Sequence, residues 1–126
     1  MSDTTPGTNL FKHDPDSHFV PAGQDLFHAG DIGHEMYVVQ EGAVEIWIDG
    51  EVVEHLGPGG IFGEMALVES DHIRAGTAKA VADTRLATID ERRFKYLCER
   101  SPYFPIEVMR AMAHRLRAVN KKLYGV

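Results

Sequence analysis

A chain of 126 residues and 14.0 kDa has the size of one domain, and 44% hydrophobic with 25% charged residues is globular composition, which excludes a fibrous or largely disordered protein. The net charge of −6 divides unevenly: residues 1–90 carry 4 basic and 16 acidic side chains (−12), residues 91–126 carry 9 and 3 (+6), so a wholly basic nucleic-acid-binding surface is excluded. The single Cys98 cannot form an internal disulfide, no apolar run approaches the roughly 18 residues of a membrane span, and the N-terminus lacks the basic and apolar regions of a signal peptide; a cytoplasmic protein is expected.

Residues 1–17 are polar and carry Pro6, Gly7 and Pro15. They predict a flexible leader with at most a short helical turn around Asn9–Lys12. From His18 the texture changes: glycines punctuate short runs of β-branched and aromatic residues, the pattern of a sandwich or barrel of short antiparallel strands. Tyr37, Val38 and Val39 form one strand, closed by a turn at Glu41-Gly42. In Ala43–Ile48, Val44, Ile46 and Ile48 alternate with Glu45 and Trp47; Asp49-Gly50 supplies the positive φ angles of a tight hairpin, and Glu51–Leu56 returns. Thr77–Asp90 reads as another strand pair, turning at Asp83-Thr84. Near residue 91 the hydrophobic period lengthens to about 3.6. Glu91–Arg100 reads as a helix stopped by Ser101-Pro102, and a second helix runs from near Pro105 to about Leu123. The expected fold is mainly β, a jelly-roll barrel (double-stranded β-helix) over 18–90, followed by two helices over 91–123 as part of the same domain.

Between the two halves, Gly59, Gly60 and Gly63 allow close approach of backbone to a ligand. A short helical patch, Glu64–Val68, follows, so its free N–H groups face whatever sits in the glycine bend, as at an anion site. Ten residues after Glu64 stands Arg74, one of four basic residues in the first 90, flanked by Ala75 and Gly76. A lone guanidinium in an acidic body suits one anion.

The run Phe62-Gly63-Glu64-Met65-Ala66-Leu67 with Arg74-Ala75-Gly76-Thr77 resembles the phosphate-binding cassette of cyclic nucleotide-binding domains, found in bacterial catabolite activators and protein kinase A regulatory subunits. Phe19–Gly23, Phe27–Asp31 and Met36–Gly42 are similar to the family's strand-and-glycine framework, and Met112–Arg117 to the start of its last helix, so the likeness covers roughly residues 19–123. The resemblance implies a ligand, cyclic AMP or alternatively cyclic GMP, and no other cofactor. Glu64 would accept from the ribose 2′-hydroxyl, and Arg74 would pair with the cyclic phosphate beside the N–H groups of Gly63, Ala66 and Ala75. Thr77 would lie near the phosphate, Ile61 and Met65 would line the site, and Val119 and Asn120 would reach the base. In kinase-type members a Ser or Thr directly after the arginine often favours guanine; Ala75 stands there, which leans towards adenine. Gly76 stands where Ala is common and Gly60 where Asp is common. The alternative role for Glu64 and Arg74 is a mutual salt bridge that pins the loop.

Ile106, Met109, Ala113, Leu116, Asn120 and Leu123 fall at a and d positions of successive heptads. The stripe serves either to pack the helix on the barrel or as the seam of a parallel homodimer, with Asn120 fixing register. Closure of this helix over bound ligand would be the switch. The chain ends at Val126 without a recognition helix, so DNA binding is not expected and output would pass through a downstream protein partner that the sequence does not identify. Two other functions compete: a degenerate interaction module of the same fold that has lost its ligand, and a cupin-type metalloprotein, suggested by seven histidines and by Glu35 and Gly42 at first-motif spacing. The His-x-His that should precede Glu35 is absent, Gly63 occupies the place of the later ligand histidine, and no nucleophile set is present, so an enzyme is not expected.

Overall fold

The computed structural model describes residues 11–126; the Asn9 end of the expected helical turn lies outside the described residues. The strands are β1 (Ser17–Val20), β2 (Asp25–Phe27), β3 (Glu35–Glu41), β4 (Val44–Ile48), β5 (Glu51–Leu56) and β6 (Ile61–Phe62). Then come a one-turn helix α1 (Glu64–Val68), β7 (Thr77–Ala80), β8 (Thr84–Asp90), α2 (Glu91–Arg100) and α3 (Phe104–Tyr124). Two four-stranded antiparallel sheets result, in the orders β1-β8-β3-β6 and β2-β7-β4-β5. Each sheet keeps its own edge strands, so the body is a jelly-roll-like sandwich rather than the closed barrel expected.

The central strands show why one run is continuous in hydrophobicity and another alternates. In β3, Met36 and Val38 face the helices while Tyr37 and Val39 face the opposite sheet, so the strand is buried on both sides. The inter-sheet core gathers Val39, Val44, Ile46, Phe62, Ala78 and Leu86. A second core joins the outer face of the first sheet to the helices through Met36, Ile89, Leu97, Phe104 and Val108. Asp49 (φ 51°) and Gly50 (φ 77°) form the predicted hairpin turn between β4 and β5.

Two expectations need correction. β7 and β8 do not pair with each other: β7 lies between β2 and β4, and β8 between β1 and β3. Val81–Asp83 is a corner between sheets. The buried Thr84 hydroxyl stitches it, with its one proton within reach of the carbonyls of Ala82 (2.8 Å) and Ala43 (3.1 Å), while Asp83 Oδ1 accepts from Ala22 N–H at 2.9 Å. The leader is also not wholly loose. Phe11 is 1% exposed and meets Phe104 edge-on at 6.0 Å, and Gln40 Nε2 donates to the Phe11 and Asp14 carbonyls. An isolated Leu-Phe pair in a polar stretch has no periodicity to mark Phe11 as core; its pocket between β3 and the helices exists only after folding.

Helix α2 starts where Asp90 caps it, the carboxylate accepting from Arg93 N–H at 2.8 Å. Helix α3 buries Phe104, Val108 and Arg115 on one face. Its heptad stripe faces elsewhere: Ile106, Met109, Ala113 and Leu116 are exposed, with Asn120 and Leu123 half-buried. No helix among the described residues is long and apolar enough to cross a membrane.

Candidate functional site

The glycine bend, α1 and the segment before β7 form one wall of a cleft. β4 supplies Ile46 and Ile48, β2 ends in it with Phe27, and Arg115 reaches in from α3. The cleft has a volume of about 390 Å³ including its open mouth.

Gly63 joins β6 to α1 as the helix N-cap, in the left-handed region (φ 79°) where a side chain is strained, and a Cβ there would stand 2.9 Å from Arg74 Nη1. Glu64, the first residue of α1, is fully buried. Burying a carboxylate requires a partner, and that partner is Arg115, whose Nη1 donates to both Glu64 oxygens at 2.7 and 2.6 Å. The same guanidinium donates from Nε to Glu54 on β5 (2.6 Å) and from Nη2 to the Ile61 carbonyl (2.6 Å). Burial alone would lower the Arg115 pKa; the charges of Glu64 and Glu54 outweigh it and hold the group above its ordinary value.

Arg74 is held differently. Its backbone is laced to the loop between β2 and β3, with Gly30 N–H donating to its carbonyl (2.9 Å) and its own N–H donating to Asp31 (2.8 Å). Its guanidinium lies 4.2 Å over the Phe27 ring and 5.7 Å from that of Tyr37, and its Nη1 donates to the Gly63 carbonyl at 2.9 Å. The residue is 4% exposed, and its Nε has no hydrogen-bond partner among the described residues. No carboxylate of the described residues forms a salt bridge with it, so the anticipated Glu64–Arg74 alternative is not what the structure contains. Burial lowers its pKa, opposed by the charges of Tyr37, Glu35, Glu64 and Asp31. Beside it, burial and the neighbouring Glu35 push the Tyr37 hydroxyl up to about 12. Space for Arg74 depends on Gly33, where a Cβ would fall 2.1 Å from Nε.

Of the residues read from sequence, Gly63, Glu64, Met65, Ala66, Arg74 and Ala75 line the cleft together. Ile61 underlies it, its carbonyl accepting from Arg115, while the Thr77 hydroxyl accepts from Ala29 N–H at 3.1 Å. Val119 packs against the inter-sheet core, and neither it nor Asn120 lines the cleft. The two unexpected glycines have local causes: a Cβ at Gly76 would meet the Trp47 carbonyl at 2.7 Å, and one at Gly60 the Gly57 carbonyl at 2.9 Å. Sequence reasoning placed Phe27 in a framework match and Arg115 in the last helix, but assigned no site role to Arg115, Glu54, Phe27 or Gly33. Arg115 left a signal, being a charge on the same helical face as Phe104 and Val108. Among the described residues no three His, Cys, Asp or Glu side chains converge as metal ligands.

Comparison with known proteins follows this geometry. A family model described as a cyclic nucleotide-binding domain matches residues 17–101. The chain is 32% identical over 108 residues to the cyclic AMP receptor protein of Thermus thermophilus, covering 82% of this chain and 50% of that protein. The solved catabolite activator protein of Thermus thermophilus superposes with a TM-score of 0.74 at 30% identity, over 94% of this chain and 58% of that one. A structure described with a cyclic-GMP-dependent signalling pathway that regulates bacterial phytopathogenesis gives 0.73 at 31% identity, over 93% and 95%. The chain spans half or less of the length of the curated relatives it matches.

Proposed function

The chain belongs to the cyclic nucleotide-binding domain family, and from that premise we propose that it is a cytoplasmic, non-enzymatic sensor that binds cyclic AMP in the Glu64–Arg74 cleft and repositions α3 in response. The observation that carries the reading is Arg74, a nearly buried charged donor that lines the apolar cleft and has no carboxylate partner among the described residues. A cyclic phosphate brings one negative charge and acceptor oxygens, which that donor lacks. Ala75 offers no hydroxyl to guanine, and this favours adenine.

The switch follows from competition at Glu64. Both its oxygens are engaged by Arg115, so a ribose 2′-hydroxyl donating to Glu64 shares or displaces that bond. Arg115 belongs to α3, so a change in that bond is felt by the helix. Glu54 keeps the guanidinium paired during the exchange. A cyclic nucleotide of about 22 non-hydrogen atoms at roughly 0.3 kcal/mol each gives a Kd of order 10 μM.

Calorimetric titration with cyclic AMP and cyclic GMP, repeated on Arg74→Ala, tests the site. Heat from cyclic AMP that Arg74→Ala abolishes is the expected result. No heat from either nucleotide favours the degenerate interaction module instead. Hydrogen exchange over residues 105–123 tests the switch, and unchanged protection on adding cyclic AMP refutes it.

A homodimer through α3 is the second part of the reading. Ile106, Met109 and Leu116 are 40%, 58% and 62% exposed, which supports a seam with a second copy over packing against the protomer's own body. Arg110 and Arg117 occupy e positions while Met112 and Val119 occupy g, so a parallel pairing sets Arg117 beside an apolar neighbour, whereas an antiparallel one sets arginines together. Sedimentation of the wild type and of Leu116→Ser checks it.

A further inference from the structure

Among the described residues, two that are not glycine have left-handed backbone, Asp49 (φ 51°) and His72 (φ 55°). The β4–β5 hairpin imposes the first. No hairpin surrounds His72, which stands in the loop between α1 and Arg74. Such a conformation persists only where the surroundings hold it, and held outliers of this kind gather at binding sites. The His72 Nδ1 lies 2.8 Å from the Ala66 carbonyl; a carbonyl only accepts, so Nδ1 carries the proton and donates. The His72 carbonyl accepts from Gly33 N–H at 2.8 Å, and its N–H donates to the Glu69 carbonyl at 3.2 Å. Its ring meets that of His34 with centroids 4.3 Å apart.

These contacts join the two charged anchors of the cleft. Ala66 belongs to α1, the helix that Glu64 starts. That helix is five residues long, and its last carbonyls need partners from outside it. Met65 finds Glu69 N–H, and Ala66 finds the imidazole. On the other side, Gly33 is the residue against which the Arg74 guanidinium rests, and Arg74 itself follows His72 by two residues. One side-chain bond therefore ties the end of α1 to the strand of chain that carries Arg74 and to the loop that seats it. His72 does not line the cleft.

We propose that His72 is a positioning residue: its imidazole fixes the spacing of Glu64 and Arg74, so that one ligand meets both. This rests on the cyclic nucleotide reading above and adds to it a residue that touches no ligand atom. Without the tie, α1 and the Arg74 segment sample other spacings, and the apparent Kd rises by the inverse of the fraction that stays competent. A competent fraction of about one-tenth raises Kd about tenfold.

Calorimetric titration of the full chain with cyclic AMP, on wild type, His72→Gly and His72→Asn, tests this, together with amide hydrogen exchange on each protein before nucleotide is added. Glycine removes the imidazole and accepts the left-handed φ without strain, so the fold survives. Asparagine tolerates the same φ and sets an amide N–H at the δ position from which Nδ1 donates. The expected Kd is about tenfold higher in His72→Gly and within about threefold of wild type in His72→Asn, with faster exchange at the Gly33 and Arg74 amides in the glycine variant alone. In an Arg74→Met background, adding His72→Gly should move Kd by less than about threefold, because no guanidinium is left to position. A Kd for His72→Gly within threefold of wild type overturns the proposal, as does an asparagine variant as weak as the glycine one. An undiminished tenfold effect in Arg74→Met overturns it too, since His72 would then act independently of Arg74. Unchanged exchange in His72→Gly overturns it without any nucleotide, and leaves the cyclic nucleotide reading intact. A wild type that takes up neither cyclic AMP nor cyclic GMP removes that reading, and this inference with it.

Discussion

Arg74 and Arg115 enter one cleft from opposite walls, and their surroundings set them apart. Arg115 is paired with two carboxylates and a carbonyl, bonds that join α3 to β5 and to the cassette. Arg74 rests on aromatic rings, gives one bond to the backbone and keeps a buried donor idle. An unpaired buried donor costs about 1–3 kcal/mol. A saturated guanidinium is a tie within the fold; the one without a carboxylate is the cation that the proposed anion would meet.

Substitution separates the two. Arg115→Met leaves Glu64 buried without its counter-charge, and breaking a buried pair in this way costs about 3–5 kcal/mol. Urea denaturation should show that loss, and a change below about 1 kcal/mol would erase the distinction between the arginines. Arg74→Met should do the reverse. Stability stays within about 1 kcal/mol of wild type, because the lost cation–π contact is offset by removal of an unpaired donor. Cyclic AMP affinity falls by about 10- to 150-fold, the equivalent of 1.5–3 kcal/mol for a charged hydrogen bond. Denaturation and calorimetry on one preparation read both quantities.

Gly33→Ala probes the seat of Arg74 without touching its charge. The added methyl would overlap Nε at 2.1 Å, so the guanidinium must shift, and overpacking of this kind costs about 1–3 kcal/mol. Affinity should fall roughly tenfold, with the loss confined to binding and stability and no change in the fold by circular dichroism. Glu54→Gln is the mildest change. It keeps an acceptor for Arg115 Nε but removes a charge, for an expected loss of about 1 kcal/mol and faster hydrogen exchange in α3. Unaltered exchange there would mean that Glu64 alone holds the helix.

The parts legible in sequence are those whose cause is local. Asp49-Gly50 carries its hairpin in two residues, Asp90 caps the helix that begins beside it, and Gly63-Glu64 with Arg74-Ala75 marks the cassette in a short window. The burial of Phe11 and the separation of β7 from β8 were not legible, because each depends on segments far along the chain. The same holds for the α3 stripe: its heptad spacing was plain, but only the packing of Phe104 and Val108 showed that Met109 and Leu116 point away from the body.

For this protein the sequence by itself determined strands β3, β4 and β5, the helix starts, and a cassette whose residues share one cleft. The tertiary structure alone decided what Glu64 is bonded to. Its partner Arg115 lies 51 residues along the chain, and that arginine's second carboxylate, Glu54, is 61 residues from Arg115. Turn and cap chemistry acts within a few residues and leaves a pattern there. The pairing of a buried charge depends on which surfaces meet when the sheets and α3 close, and no local pattern carries that information.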